Sequence, residues 1–169
     1  MTHSTYLIHL QEKKFKLFEK MIYFHFIGAT NVIFAFLTIK YSSLMKRVKF
    51  GMEFLFRASP AILYRFLTTP SCLVRWFCDE VDITGDRFVF TWEGFDEAAE
   101  LIDDIEEERL RFHWEDGEPG EFLEFKMYKS EVTNQTILEV IDFADEDEVE
   151  DQKNLWAAQF ERLRSESGG

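Results

Sequence analysis

Apolar and polar side chains alternate with a period of two in most segments between residues 48 and 143, which is the pattern of half-buried β-strands. In the first segment Phe50, Met52 and Phe54 fall on one face, and mostly polar side chains fall on the other. Turns rich in glycine and aspartate, such as the one at Gly85, separate the later segments. The pattern predicts seven strands, at residues 48–57, 80–83, 87–92, 98–105, 110–114, 122–128 and 136–143.

Three other segments carry the signals of helices. Ser59 and Thr69 each precede a proline, and a hydroxyl side chain followed by proline is typical of a helix start. Two short helices are therefore predicted in tandem, at residues 61–67 and 71–77. After Asp145, which is predicted to cap the helix, apolar side chains recur at helical spacing and predict a long C-terminal helix.

The predicted order is one strand, two short helices, a meander of strands and one long helix. Hairpin-length connections imply antiparallel pairing, because parallel strands need long crossovers. One long helix packed on one face of a curved antiparallel sheet is an α+β helix-grip architecture, and this is the predicted fold class.

Two segments resemble START-like proteins of the SRPBCC superfamily. The first reads S-P-x-x-x-Y from Ser59 and T-x-P-x-x-L-x-x-W-F from Thr68, and it is especially similar to the branch of chaperone-ATPase-activator homologues. The second reads I-D-F-A-D-E-D-E at residues 141–148 and L-W-A-A-Q at residues 155–159, as in small bacterial START-like proteins, with isoleucine where the family pattern has threonine. The resemblance covers residues 45–169 and implies the helix-grip fold. It implies no single activity, because this fold hosts carriers, cyclases, hydrolases and cochaperones.

Residues 1–44 differ in composition from residues 45–169. They hold five lysines and two glutamates, whereas the remainder holds 14 basic and 30 acidic residues, a charge of −16. Residues 21–39 contain no charged side chain and are just long enough for a membrane helix. Three interpretations stay open: a misassigned translation start, with the true start at Met45, a membrane anchor through residues 21–39, or a soluble extension. Without an anchor, the protein is predicted to be cytoplasmic.

The negative charge of the chain, −13 in total, argues against nucleic acid as a partner, because phosphate backbones would be repelled. The same surface suits a basic protein partner.

No residue pattern predicts catalysis. His113 is the only histidine after residue 25, and no second ligand lies at metal-binding spacing. Cys72 and Cys78 are too few for a disulfide framework and are not spaced as a usual zinc pair. There is no glycine-rich phosphate loop. We therefore predict no catalytic residue, metal or cofactor, and an enzyme of unknown reaction is only a third hypothesis.

The resemblance implies a cavity between the sheet and the long helix, which large inward-facing side chains would line. The candidates are eight aromatic residues: Trp76, Phe77, Phe90, Trp92, Phe112, Trp114, Phe125 and Trp156. These rings either fill the space as an ordinary core or surround a pocket for an apolar small molecule. Two functions follow: non-catalytic binding of a hydrophobic small molecule or lipid, or, as the alternative, a cochaperone-like protein-interaction module with an acidic surface.

Overall fold

A computed structural model describes residues 46–168 of the chain, in which seven antiparallel strands form one sheet with the order β1-β7-β6-β5-β4-β3-β2. The strands are β1 (Arg47–Phe56), β2 (Glu80–Thr84), β3 (Arg87–Trp92), β4 (Phe95–Ile105), β5 (Arg109–Trp114), β6 (Leu123–Lys129) and β7 (Thr136–Asp145). The helices are α1 (Pro60–Thr68), α2 (Pro70–Leu73) and α3 (Val149–Ser167). The predicted α+β helix-grip fold is confirmed. The predicted extension at residues 1–44 lies outside the described residues.

Strand β4 is longer than its alternation pattern predicts. It begins at Phe95, directly after a two-residue turn in which Glu93 and Gly94 both have positive φ (51° and 82°). Two such residues make the hairpin turn that matches the twist of paired strands, so pairing starts at once. Later in β4 the register shifts between Leu101 and Asp103, and this bulge explains why the alternation is weak there.

The second short helix is shorter than predicted, because α2 ends at Leu73 and not at residue 77. Trp76, Phe77 and Cys78 are all buried, and three consecutive side chains cannot all lie on the inward face of a helix. The chain therefore continues through turns that bring both aromatic rings inside.

The predicted cap of the long helix at Asp145 is wrong. Asp145 is the last residue of β7, and its carbonyl accepts a hydrogen bond from the Glu148 N–H (2.8 Å), which closes a turn. Helix α3 starts only at Val149, and Glu148 in the cap position makes no side-chain capping bond. Strand β7 continues two residues beyond its predicted end. Asp145 therefore lies in the strand and does not cap the helix.

The core lies between the inner face of the sheet and α3. Trp156, Phe160 and Leu163 form the buried face of α3, as the helical spacing predicts. Ser59 caps α1 by accepting a hydrogen bond from the Ile62 N–H (3.3 Å), also as predicted.

Candidate functional site

All eight predicted aromatic residues belong to segments that meet between the sheet and α3. Strands β3, β5 and β6 supply five of them, the turns after α2 supply Trp76 and Phe77, and α3 supplies Trp156. The sequence places them far apart, and three separate parts of the fold bring them together.

The rings form one continuous cluster, which we call the ring cluster. Phe77 lies at its centre, with ring centroids 5.1 Å from Phe90, 5.3 Å from Trp92 and 6.2 Å from Trp156. Trp156 in turn lies 5.7 Å from Phe125. The remaining members join through Trp76–Phe77 at 5.2 Å, Phe112–Phe125 at 6.5 Å and Phe90–Trp114 at 5.8 Å. These separations are those of aromatic pairs in direct contact.

Seven of the eight side chains are buried, with exposed fractions of only 2–7%. Their surfaces are therefore covered by one another and by α3. In this conformation the rings pack against one another, and these seven side chains offer little exposed surface to a ligand.

Hydrogen bonds hold the three buried indoles in place. The Nε1–H of Trp76 donates to the Phe66 carbonyl (3.0 Å), that of Trp92 to the Phe77 carbonyl (2.6 Å), and that of Trp156 to Asp142 Oδ2 (2.9 Å). A buried indole without a partner would cost stability, so these bonds fix the orientation of each ring.

The residues of the START-like pattern have structural roles here. Trp76 ties the turns after α2 to α1, and Asp142 ties β7 to α3 through Trp156 and through Gln152 Nε2 (3.1 Å). Ser59 caps α1. These residues of the pattern therefore help to attach the helices to the sheet.

The eighth candidate, Trp114, is only half-buried and lies at an end of the inner face that is less covered. Its ring rests on Phe90 and Trp92 (6.3 Å to the latter). Two further inner-face residues of β4 lie near it: Phe95 pairs directly with Trp92, and Glu97 pairs with Phe90. Phe95 is 55% exposed, and Glu97 is half-buried. We call Phe95, Glu97 and Trp114 the open end.

Sequence reasoning missed Phe95 and Glu97. The signal was available, because a Glu-Gly pair after an alternating strand predicts a two-residue hairpin turn, which would have paired residue 92 with residue 95. The charges at positions 96 and 97 hid the start of the strand.

The titratable groups give no sign of a catalytic centre among the described residues. Burial and the nearby Asp79 raise the pKa of the Cys78 thiol to about 12, so it stays protonated at neutral pH. Burial and a hydrogen bond to Asp104 raise the pKa of Tyr64 to about 12. His113 Nδ1 lies 2.9 Å from the Glu121 carbonyl oxygen. Within residues 46–168, no three His, Cys, Asp or Glu side chains are grouped so that they could hold a metal ion.

The outer face of the sheet carries one buried charge. Glu124 is 1% exposed. It accepts hydrogen bonds from Arg111 and forms an ion pair with Lys126 (3.1 Å). Burial alone would raise the pKa of Glu124, but the bonds from these two cations outweigh it and hold the pKa below its ordinary value. The group is fully paired, so it supports the sheet and leaves no free charge for a ligand.

A family comparison agrees with this fold. The description of a START-like superfamily domain matches residues 44–169, which is most of the chain. The chain belongs to the START-like superfamily. Comparison with curated proteins finds no match.

Solved structures include several with the same fold. The Bacteroides fragilis protein BfR322 is 35% identical, with a TM-score of 0.54 over 72% of this chain and 91% of that one. The Aha1 dimer from Colwellia psychrerythraea is 19% identical, with a TM-score of 0.62 over 71% of this chain and 96% of that one. DynU16, a protein of the dynemicin biosynthetic locus, is 19% identical, with a TM-score of 0.60 over 69% of this chain and 46% of that one. The last two likenesses concern the fold alone.

Among residues 46–168, no helix is long and apolar enough to cross a bilayer. The uncharged segment at residues 21–39 lies outside the described residues, so its interpretation as an anchor stays a prediction.

Proposed function

We propose that the START-like domain is a non-catalytic binding protein for an apolar small molecule, which it takes up at the open end. The observation that carries this proposal is the exposure of Phe95 on the inner face. Phe95 pairs with Trp92, which the half-buried Trp114 also contacts, so both residues lie at the edge of the ring cluster. Apolar surface that is exposed at the edge of an aromatic cluster is typical of binding sites. Proteins of this fold family also often bind hydrophobic ligands.

The packing of the ring cluster limits how such a ligand would bind. A large lipid would have to displace several rings that are 2–7% exposed, whereas a small planar molecule could lie on Trp114 and Phe95 without opening the core. The proposal therefore favours a ligand of about the size of one or two fused rings. Binding would extend the stack of aromatic groups outward from Phe90 and Trp92.

The filled ring cluster also supports a second candidate, a protein-interaction module with an acidic surface. A solid core needs no ligand, and residues 45–169 carry 14 basic against 30 acidic residues, which would attract a basic partner. In this alternative, the open end is an ordinary edge of the core. The two candidates differ in whether a small molecule stabilises the domain.

A thermal-shift screen of the full chain tests the proposal. The compounds are fatty acids, sterols, isoprenoids and aromatic polyketides, and a compound that binds only the folded protein raises its melting temperature with the logarithm of ligand excess. We expect planar compounds to stabilise the protein and the Trp114→Ala variant to lose most of that effect. Val132→Ser, which changes an exposed apolar residue outside the site, is the matched control. Absence of stabilisation by every class would favour the interaction module.

A further inference from the structure

One charged side chain lies among the aromatic rings of the open end. The register of β3 and β4 pairs Glu97 with Phe90, so both side chains are on the inner face. Ala99 pairs with Trp114 in the next strand pair, which makes Glu97 and Trp114 diagonal neighbours on the same face. Side chains at such positions are within reach of one another. Glu97 is thus a half-buried carboxylate beside three aromatic residues.

Glu97 differs from the other partly covered carboxylates of the domain. Glu124 is paired with Arg111 and Lys126, and Asp142 accepts hydrogen bonds from Trp156 and Gln152. Glu97 has no hydrogen-bond or ionic partner among residues 46–168. An unpaired carboxylate beside aromatic rings is able to pair with a bound cation.

The groups around Glu97 favour a ligand with a positive charge. Aromatic faces attract organic cations through their negative quadrupole, and a carboxylate adds a direct counter-ion. The surplus of 30 acidic over 14 basic residues in residues 45–169 draws cations towards the domain and repels anions.

We infer that the ligand of the open end is an aromatic organic cation, an ammonium compound whose ring stacks on Trp114 and Phe95 while its charge pairs with Glu97. This inference rests on the proposed function and narrows its ligand class. It excludes fatty acids and other anionic amphiphiles, which would bring a second carboxylate next to Glu97.

Three probes with the same ring test the inference by calorimetric titration of the full chain: 2-naphthylmethylammonium, the neutral 2-naphthylmethanol and the anionic 2-naphthoate. We expect the ammonium probe to bind about tenfold more tightly than the alcohol, and the naphthoate to bind most weakly. The Glu97→Gln variant should bind the ammonium probe only as tightly as the alcohol. Glu97→Lys should reverse the preference and favour naphthoate.

Glu100→Gln is the matched control, because it removes the same charge from the same strand. Glu100 is exposed and pairs with His113 and Arg87 on the opposite face of the sheet. Its variant should keep the preference for the ammonium probe. Circular dichroism shows whether each variant is folded.

Two results would overturn the inference and leave the proposed function intact. One is equal binding of all three probes, and the other is an equal loss of ammonium affinity in Glu97→Gln and Glu100→Gln. If no probe binds although an apolar compound stabilises the protein in the screen, the inference alone fails. If neither experiment detects binding, the proposed function fails with it.

Discussion

The two ends of the inner face differ in how completely their aromatic rings are covered. Around Trp156, rings from α3, the sheet and the turns after α2 contact one another, and the indole N–H donates to Asp142. At the open end Trp114 is only half-buried, Phe95 is 55% exposed, and Glu97 has no partner among the described residues. The difference shows that aromatic residues of the same sequence pattern can be buried and stabilise the fold at one end and stay partly exposed to solvent at the other.

The largest effect is expected for Trp156→Ala. Its side chain is 4% exposed and contacts Phe77, Phe125 and Phe160, so truncation leaves a large cavity. We expect a loss of about 3–5 kcal/mol in the free energy of unfolding. Urea denaturation followed by circular dichroism measures this loss.

Trp156→Phe is the control for that substitution, because it keeps an aromatic ring and removes the bond to Asp142 together with only part of the buried volume. Its cost should be well below that of the alanine variant. An alanine variant with the unfolding midpoint of the unchanged protein would show that α3 does not close this end.

Glu124→Ala should have the next largest effect, although Glu124 lies on the outer face. It leaves Arg111 and Lys126, each about one third exposed, without their shared partner, and we expect a loss of about 1–3 kcal/mol. Glu100→Ala, at an exposed position, is the control and should change stability far less. Equal losses in the two variants would contradict the pairing described here.

The stabilisation that Glu124 provides should depend on pH with a definite sign. Because the folded-state pKa of Glu124 lies below its ordinary value of 4.5, its contribution is fully present above about pH 4.5. The contribution is lost as the pH falls through the lower folded-state pKa. The stability gap between the unchanged protein and Glu124→Gln should therefore narrow in acid, and urea titrations at several pH values measure it. A gap that widens in acid would reverse the assigned shift.

Trp114→Ala should cost less than Trp156→Ala, because Trp114 is already partly exposed. We expect about 1–2 kcal/mol, the part of its surface that contacts Phe90 and Trp92. Chemical denaturation gives the cost, and the ligand screen gives the loss of binding. If Trp114→Ala were as costly as Trp156→Ala, the distinction between the two ends would disappear.

Phe95→Ser should have the smallest effect on stability, within about 0.5 kcal/mol, because most of its ring already faces water. Its effect on binding should be clear, since the ring is proposed to stack on the ligand. The same compounds are titrated against Phe95→Ser and against Val132→Ser, which is 94% exposed and lies outside the site. Equal affinity of the two variants would remove Phe95 from the site.

The fold could be predicted well from local sequence patterns, and the errors in the predicted element bounds have local causes. Alternation predicted each of the seven strands, because one face of each is buried against a core. The start of β4 was missed because Asp96 and Glu97 interrupt the apolar pattern. The end of α2 was missed because a capping signal fixes where a helix begins and does not fix how far it continues.

The eight candidate residues could be predicted as inward-facing, and seven of them are buried, as a pattern of this kind predicts. Whether they surround a space or fill it depends on distances between rings from different elements. Phe77 and Trp156 are far apart in the sequence and have ring centroids 6.2 Å apart. No spacing rule gives such a distance, because the path of the turns after α2 determines it.

The sequence by itself determined the strand faces, the start of α1 and the apolar face of α3, because each depends on side chains a few positions apart along one element. It also determined the net negative charge of the domain. Only the tertiary structure decided that Glu97 lies between Phe95 and the diagonal neighbour Trp114 on one face, because the turn at Glu93 and Gly94 and the pairing of three strands set this register. Pairing between strands brings together residues that are distant in sequence. It therefore decides which aromatic rings are covered by neighbours and which stay partly exposed.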